Sequence, residues 1–184
     1  MLELSKAIYD GTFGPQRNIT RAEFVTMAIR MVEYVKSNFT GDFGSGFKDV
    51  DKNAWYAENI ETAKELGLIK GDGTGNFRPD DAITRAEAMT IVNRLMGRAA
   101  DKDYLLDNMV EWPDNMDTNA WYYADVQETA NSHDYTWKEK EEEISNPIEK
   151  WEKLLENRDW AALEKEWSTA NDGPAAKFYH KYEE

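Results

Sequence analysis

The sequence predicts an all-α protein built from helix–loop–helix units, and three observations point there. Apolar residues recur at the three-and-four spacing of a buried helical face. The segments between them are made of turn residues, as in "KGDGTGNFRPDD" at residues 70–81. No long alternating pattern marks a strand, and "GLIKG" at residues 67–71 is too short for more than a bridge.

The elements follow in order. Residues 20–36 place Phe24, Met27, Ala28, Met31, Val32 and Val35 on one face. A shorter helix over 54–66 buries Ile60, Ala63 and Leu66, with Gly67 placed as a left-handed C-terminal cap and Leu68 folding back on Ala63. Residues 84–96 repeat the first pattern with Ala88, Ile91, Val92, Leu95 and Met96. After the charge run "KEKEEE" at 138–143, "NPIEKWEKLLENRDWAALEKEW" at 146–167 reads as a helix. Asn146 is suited to cap it, Pro147 to its first position and Glu149 to its third, with Trp151, Leu154, Leu155, Trp160, Leu163 and Trp167 as its apolar stripe.

Internal repetition organises the chain. "ITRAE" stands at residues 19–23 and again at 83–87, and at the same offset Phe13 matches Phe77, Pro15 matches Pro79, Thr26 matches Thr90 and Arg30 matches Arg94. "FKDVDKNAWYAENI" at 47–60 is repeated more loosely as "WPDNMDTNAWYYADV" at 112–126. Two half-copies therefore flank one whole copy. The segments are a partial first repeat at 1–37, holding the second half only, a complete second repeat at 47–98, a degenerate third at 108–140, and an acidic helical segment at 141–184 packed on the rest.

Composition narrows the function. The 184 residues carry a formal net charge of −14, which makes nucleic acid a poor partner, and no apolar run approaches a membrane span. Without cysteine there is neither disulfide nor thiolate metal site. "MLELSKAIYDG" has no basic start and no apolar core, so the chain reads as an excised piece of an exported protein or a mature form. No enzyme constellation stands out, since His133 and His180 lie in weak contexts. Calcium loops beginning at Asp49 or Asp72 fail at their closing position, which is Ile60 or Ile83. Neither a metal nor a cofactor is expected.

Thr-x-x-Glu at the start of a helical pattern is a capping box. Thr20 with Glu23, and Thr84 with Glu87, are accounted for by helix initiation alone, and Ile19 and Ile83 by a hydrophobic staple. The arginines are not. Arg21 and Arg85 fall at the first helical position, where the helix dipole mildly disfavours a cation. A guanidinium beside a helix N-terminus suits a carboxylate or phosphate; it is also explained by pairing with an acid such as Asp49 or Asp114, or by extension into solvent. Trp55 and Trp121, each at a helix start behind an aspartate, are on residue type alone better read as core than as sugar platforms.

The ordered set "FKDVDKNAWYAENIETAKELGLIKGDGTGNFRPDDAITRAEAMTIVNRLMGR" resembles the S-layer homology domain, the cell-wall anchoring module of many bacterial surface proteins. "YDGTFGPQRNITRAEF" resembles its second half, and residues 112–132 its first half more loosely. The resemblance implies a pseudo-threefold helical bundle with three second helices about the axis. It implies a secreted, cell-surface protein that anchors a surface layer without catalysis. Its partner would be an anionic secondary cell-wall polysaccharide, often with a pyruvylated sugar, held in grooves between repeats, with other copies of the chain as lattice neighbours and with no nucleic acid or membrane. Carried over, Arg21 and Arg85 would meet the ketal carboxylate. Asp49, Trp55, Asp114 and Trp121 would line grooves, and Gly71, Asp72 and Gly73 would let ligand approach backbone. Lys48 and Arg78, with Lys70 and Arg94, would keep one groove positive. In the third copy the helix at 146–156, which lacks the arginine, is expected to fill the third central position. The competing reading is a structural or assembly module that packs against copies or domains and binds no carbohydrate.

Overall fold

The computed structural model describes residues 16–35, 46–138 and 148–156, together with Ala162, Lys165 and Glu166. The helices are α1 (Arg21–Val35), α2 (Ala57–Glu65), α3 (Arg85–Leu95) and α4 (Tyr123–Ala130), with a short 3-10 turn at Lys102–Tyr104. Two antiparallel strands follow, β1 (His133–Trp137) and β2 (Glu149–Leu154), paired from His133 opposite Leu154 to Trp137 opposite Glu149, with an irregularity between Asp134 and Tyr135.

This corrects the all-α expectation: the described residues form a mixed α and β structure. The segment read as a third central helix is β2 over Glu149–Leu154, so no pseudo-threefold set of second helices forms among the described residues. The reason lies in which side chains turn inward. Glu149 and Trp151 are buried while Lys150 and Glu152 are exposed, the period of two that a strand imposes. The same letters had satisfied a helical stripe only through Leu154 and Leu155, and those are half-buried and exposed. The proposed cap Asn146–Pro147 lies outside the described residues, as do Phe13, Pro15, Trp160, Leu163 and Trp167.

The helix pairs do not follow the sequence repeats. α1 packs on α2, and α3 packs on α4, each pair joining the second half of one repeat to the first half of the next. α2 and α3, the two helices of the single complete repeat, contact each other far less. Two flanking half-copies are thus what two complete straddling pairs require. α1 also meets α3, and the chief apolar core forms there from Ala22, Val25, Ile29, Ile60, Ala63, Leu68, Phe77 and Ile91. Gly67, at φ +71°, ends α2 and lets Leu68 N–H return to Ala63 O at 2.8 Å.

Candidate functional site

Both repeated helix starts carry a complete capping box. At α1 the Glu23 N–H donates to Thr20 Oγ1 at 3.2 Å and Thr20 N–H to Glu23 Oε2 at 2.8 Å. At α3 the Glu87 N–H donates to Thr84 Oγ1 at 3.2 Å and Thr84 N–H to Glu87 Oε2 at 2.9 Å. Beyond the caps the two ends diverge.

The α1 end is closed by the repeat that follows it. The Arg21 and Ala22 N–H groups donate to Asp81 O at 2.9 Å and Pro79 O at 3.0 Å, and Thr20 bridges Ala82. Arg21 itself is buried. Its Nε donates to Phe77 O at 2.8 Å, its guanidinium carbon lies 4.7 Å above the Phe77 ring, and Nη1 pairs with Glu87. Burial pushes the Glu87 carboxyl up, but the Thr84 N–H and the Arg21 charge outweigh it and hold the group below its ordinary value.

The α3 end is open. Among the described residues, no backbone carbonyl covers the Arg85 and Ala86 N–H groups. Arg85 is exposed and makes no hydrogen bond or ion pair among the described residues. A third repeat that kept its Phe-x-Pro-to-Ile-Thr segment would have supplied the cover, and this chain has none at that position.

The hydrogen bonds between α3 and α4 orient the pair. Thr90 Oγ1 donates to Asp125 Oδ2 at 2.9 Å, and Thr129 Oγ1 to Asn93 Oδ1 at 3.1 Å. Residue numbers rise together along both helices, so the helices run parallel and their N-termini share one end of the pair. Arg85 at the start of α3 and Trp121 just before α4 therefore lie at the same end. Trp121 is 63% exposed, with its ring set edge-on to Tyr122 at 5.3 Å. Trp55, its counterpart before α2, is 38% exposed and edge-on to Tyr56. The preference for core tryptophans drawn from residue type alone does not match this exposure.

The other candidate residues serve the loop that joins α2 to α3. Asp49 accepts from Phe77 N–H at 2.8 Å and Arg78 N–H at 2.7 Å, which holds Arg78 at its unusual φ of +60°. Asp72 Oδ1 accepts from Thr74 Oγ1 at 2.7 Å, Thr74 N–H at 2.9 Å and Asn76 N–H at 3.2 Å; those bonds, led by the Thr74 hydroxyl, lower its carboxyl to about 2. A Cβ on Gly71 would stand 2.5 Å from both Asn76 O and the Phe47 ring, so the close approach there is made by the protein itself. Gly73 takes a positive φ with open space beside it. Lys48 donates to Thr74 O at 2.7 Å and Arg94 to Leu68 O at 3.0 Å, while Arg78 reaches Asp81 and Glu87. Asp114 is exposed, without the loop that Asp49 holds, and Lys70 is exposed.

A second cluster, which sequence reading did not single out, sits where the sheet meets the helices. Glu128 at the end of α4, His133 at the start of β1 and Glu149 at the start of β2 are buried, with one ligand-type atom from each within 4.8 Å of the others. Arg98, just beyond α3, reaches into it. Its Nε donates to Glu149 Oε1 at 3.2 Å, and its Nη2 lies 3.1 Å from Glu149 Oε2, 3.1 Å from His133 Nε2, and against Glu128 Oε1. The His133 ring stacks on Trp151 at 3.9 Å, and Trp151 Nε1 donates to Glu128 Oε2 at 2.8 Å. Burial alone would lower the imidazole pKa, but the Glu128 carboxylate beside it raises it overall; burial would raise Glu128, and its contacts with His133 and Trp151 lower it. The signal was the His-x-Tyr-x-Trp alternation at 133–137, which points one row of rings to one face.

The sequence profile of the S-layer homology domain family matches residues 6–25 and 46–89. The chain is 35% identical over 136 residues to the cellulosome-anchoring protein of Acetivibrio thermocellus, a match covering 73% of this chain and 29% of that protein. It is 31% identical over 160 residues to cell surface glycoprotein 1 of the same organism, covering 84% of this chain and 6% of that protein. The surface layer protein of Brevibacillus choshinensis is 32% identical over 88 residues, 48% of this chain and 8% of that protein. The chain thus spans less than a third of the length of each of these relatives.

Proposed function

Given that this chain carries the S-layer homology domain, and with it a place at the bacterial cell surface in a module that anchors proteins to the cell wall, we propose that it binds an acidic cell-wall polysaccharide at the open end of the α3–α4 pair. Arg85 is the residue that meets the acid, such as the ketal carboxylate of a pyruvylated sugar. Trp121 offers its exposed face to the sugar ring, and the uncovered N–H groups of Arg85 and Ala86 add the positive end of the helix dipole. The observation that carries this reading is the contrast between the two arginines: Arg21 is buried against Phe77 and Glu87, whereas Arg85 is exposed without a protein partner among the described residues.

Charge does not stand against it. The net −14 would repel a polyanion, but salt screens that repulsion beyond roughly 8 Å, so the groups near the acid decide. Around the start of α3, Arg21 and Arg78 pair with Glu87 and Asp81, which leaves the exposed Arg85 charge unpaired among the described residues. The Asp49, Gly71, Asp72 and Gly73 set supports the site by fixing the loop that leads into α3. Lys48 lies along that loop, and Trp55 marks the matching end of the α1–α2 pair.

The test is a sedimentation assay with purified wall polymer, before and after mild acid removes its pyruvate. Arg85→Ala should lose retention while keeping the wild-type circular dichroism spectrum, and wild type should lose retention on depyruvylated polymer. Retention of Arg85→Ala equal to wild type would refute the assignment.

A further inference from the structure

We propose that Glu128, His133 and Glu149 form a divalent-cation site of the zinc type, which clips the two-stranded sheet onto the helices. His133 Nδ1 lies 2.8 Å from Asn131 O. A carbonyl can only accept, so Nδ1 carries the proton, and the neutral ring presents its Nε2 lone pair to the cluster. From Nε2, Glu128 Oε1 is 3.4 Å away and Glu149 Oε2 is 3.5 Å away. A tetrahedral ion bound at 2.0–2.2 Å holds its ligand atoms roughly 3.4 Å apart, which matches both distances from Nε2, and all three ligand atoms lie within 4.8 Å of one another.

The atoms that face away from this point are each pinned. Asn131 O holds His133 Nδ1, Trp151 Nε1 holds Glu128 Oε2, and Arg98 Nε holds Glu149 Oε1. Such outer partners orient metal ligands and fix the histidine tautomer. Glu128 Oε1, by contrast, is fully buried, points into the cluster and accepts no well-directed hydrogen bond. The Arg98 guanidinium lies against it as a charge, and His133 Nε2 stands 3.4 Å away. Arg98 Nη2 stands at the meeting point of the three ligand atoms and acts as the cation there when no metal is bound. Its side chain is 26% exposed, whereas both glutamates are fully buried. The arginine is therefore the member able to swing outward, pivoting on its Nε bond to Glu149. Binding of the ion displaces Nη2 and any proton on Nε2, which leaves to solvent. The fourth position then falls to water, on the side that Arg98 vacates.

Zinc added to the untagged chain is the probe, read by calorimetry and by the thermal midpoint. Wild type should bind one ion per chain and melt higher with zinc. His133→Gln should weaken binding roughly tenfold or more, and His180→Gln should leave it unchanged. Arg98→Ala, which removes the competing cation, should bind more tightly than wild type. No zinc response in folded wild type overturns the proposal. So does a response in Arg98→Ala alone, which would make the arginine the permanent cation, and so does wild-type affinity in folded His133→Gln.

Discussion

The α1–α2 and α3–α4 pairs descend from one repeated pattern, yet their interiors differ in kind. In the first, Ile29 and Ala63 are almost wholly buried in the apolar core. At the matching positions of the second stand Asn93 and Thr129. Asn93 donates to Asp125 O at 3.0 Å and Asp125 Oδ1 at 3.1 Å and accepts from Thr129. Thr26 and Thr90 share a frame, but Thr90 finds Asp125 while Thr26 Oγ1, with Asn59 where Asp125 would stand, has no hydrogen-bond partner among the described residues. The first pair is held by burial, the second by directed bonds. The difference follows position: α1 also meets α3 and completes a core with Phe77 and Ile91, whereas the α4 side receives the sheet and its buried charges. The same division governs the arginines, one closed in and one open.

The largest effect should come from deleting apolar volume in the first pair. Ile29→Ala should destabilise the fold by about 2–5 kcal/mol in urea unfolding. Asn93→Ala should cost about 1–3 kcal/mol through the Asp125 and Thr129 groups it leaves unpaired. Equal costs would erase the contrast.

Acid should act next, through Glu87. Its carboxyl is held below 4.5 in the folded chain, so its stabilising contribution is present above the unfolded value and fades as pH falls through the folded one. Glu87→Gln keeps a capping side chain but removes the charge facing Arg21 and Arg78. The thermal midpoints of wild type and variant should differ near neutral pH and converge below about 4.5. A constant gap would mean the charge is not what holds Arg21.

The smallest effects should differ in sign. Thr26→Val removes an unpartnered hydroxyl and should be neutral or stabilising by up to about 1 kcal/mol, whereas Thr90→Val strands Asp125 and should cost about 1–2 kcal/mol. Denaturant midpoints measure both.

The helices, their caps and the repeat frame were legible because each rests on local spacing: three-and-four apolar periodicity, Thr-x-x-Glu, a glycine after Leu66. The sheet was not. "EKWEKL" satisfies both periods, and what selects the strand is distant: Arg98 and His133 meet Glu149, and Ala99 O accepts its N–H. Burial of Arg21 was hidden for the same reason, since its partners Phe77 and Glu87 lie far along the chain. Identical pentapeptides could not disclose that one would be covered by the next repeat and the other left open. Asp72 was recognised as a loop position and Asp49 was expected to line a groove, but their bonds to backbone N–H groups emerge only in three dimensions.

If Arg21 holds the fold and Arg85 meets the polymer, one paired measurement separates them: wall-polymer affinity and thermal midpoint for Arg21→Ala beside Arg85→Ala. Arg21→Ala should lower the midpoint, because it strands Glu87 and the Phe77 carbonyl, and Arg85→Ala should leave the midpoint unchanged and abolish binding. Loss of stability in Arg85→Ala together with full polymer binding would contradict that separation.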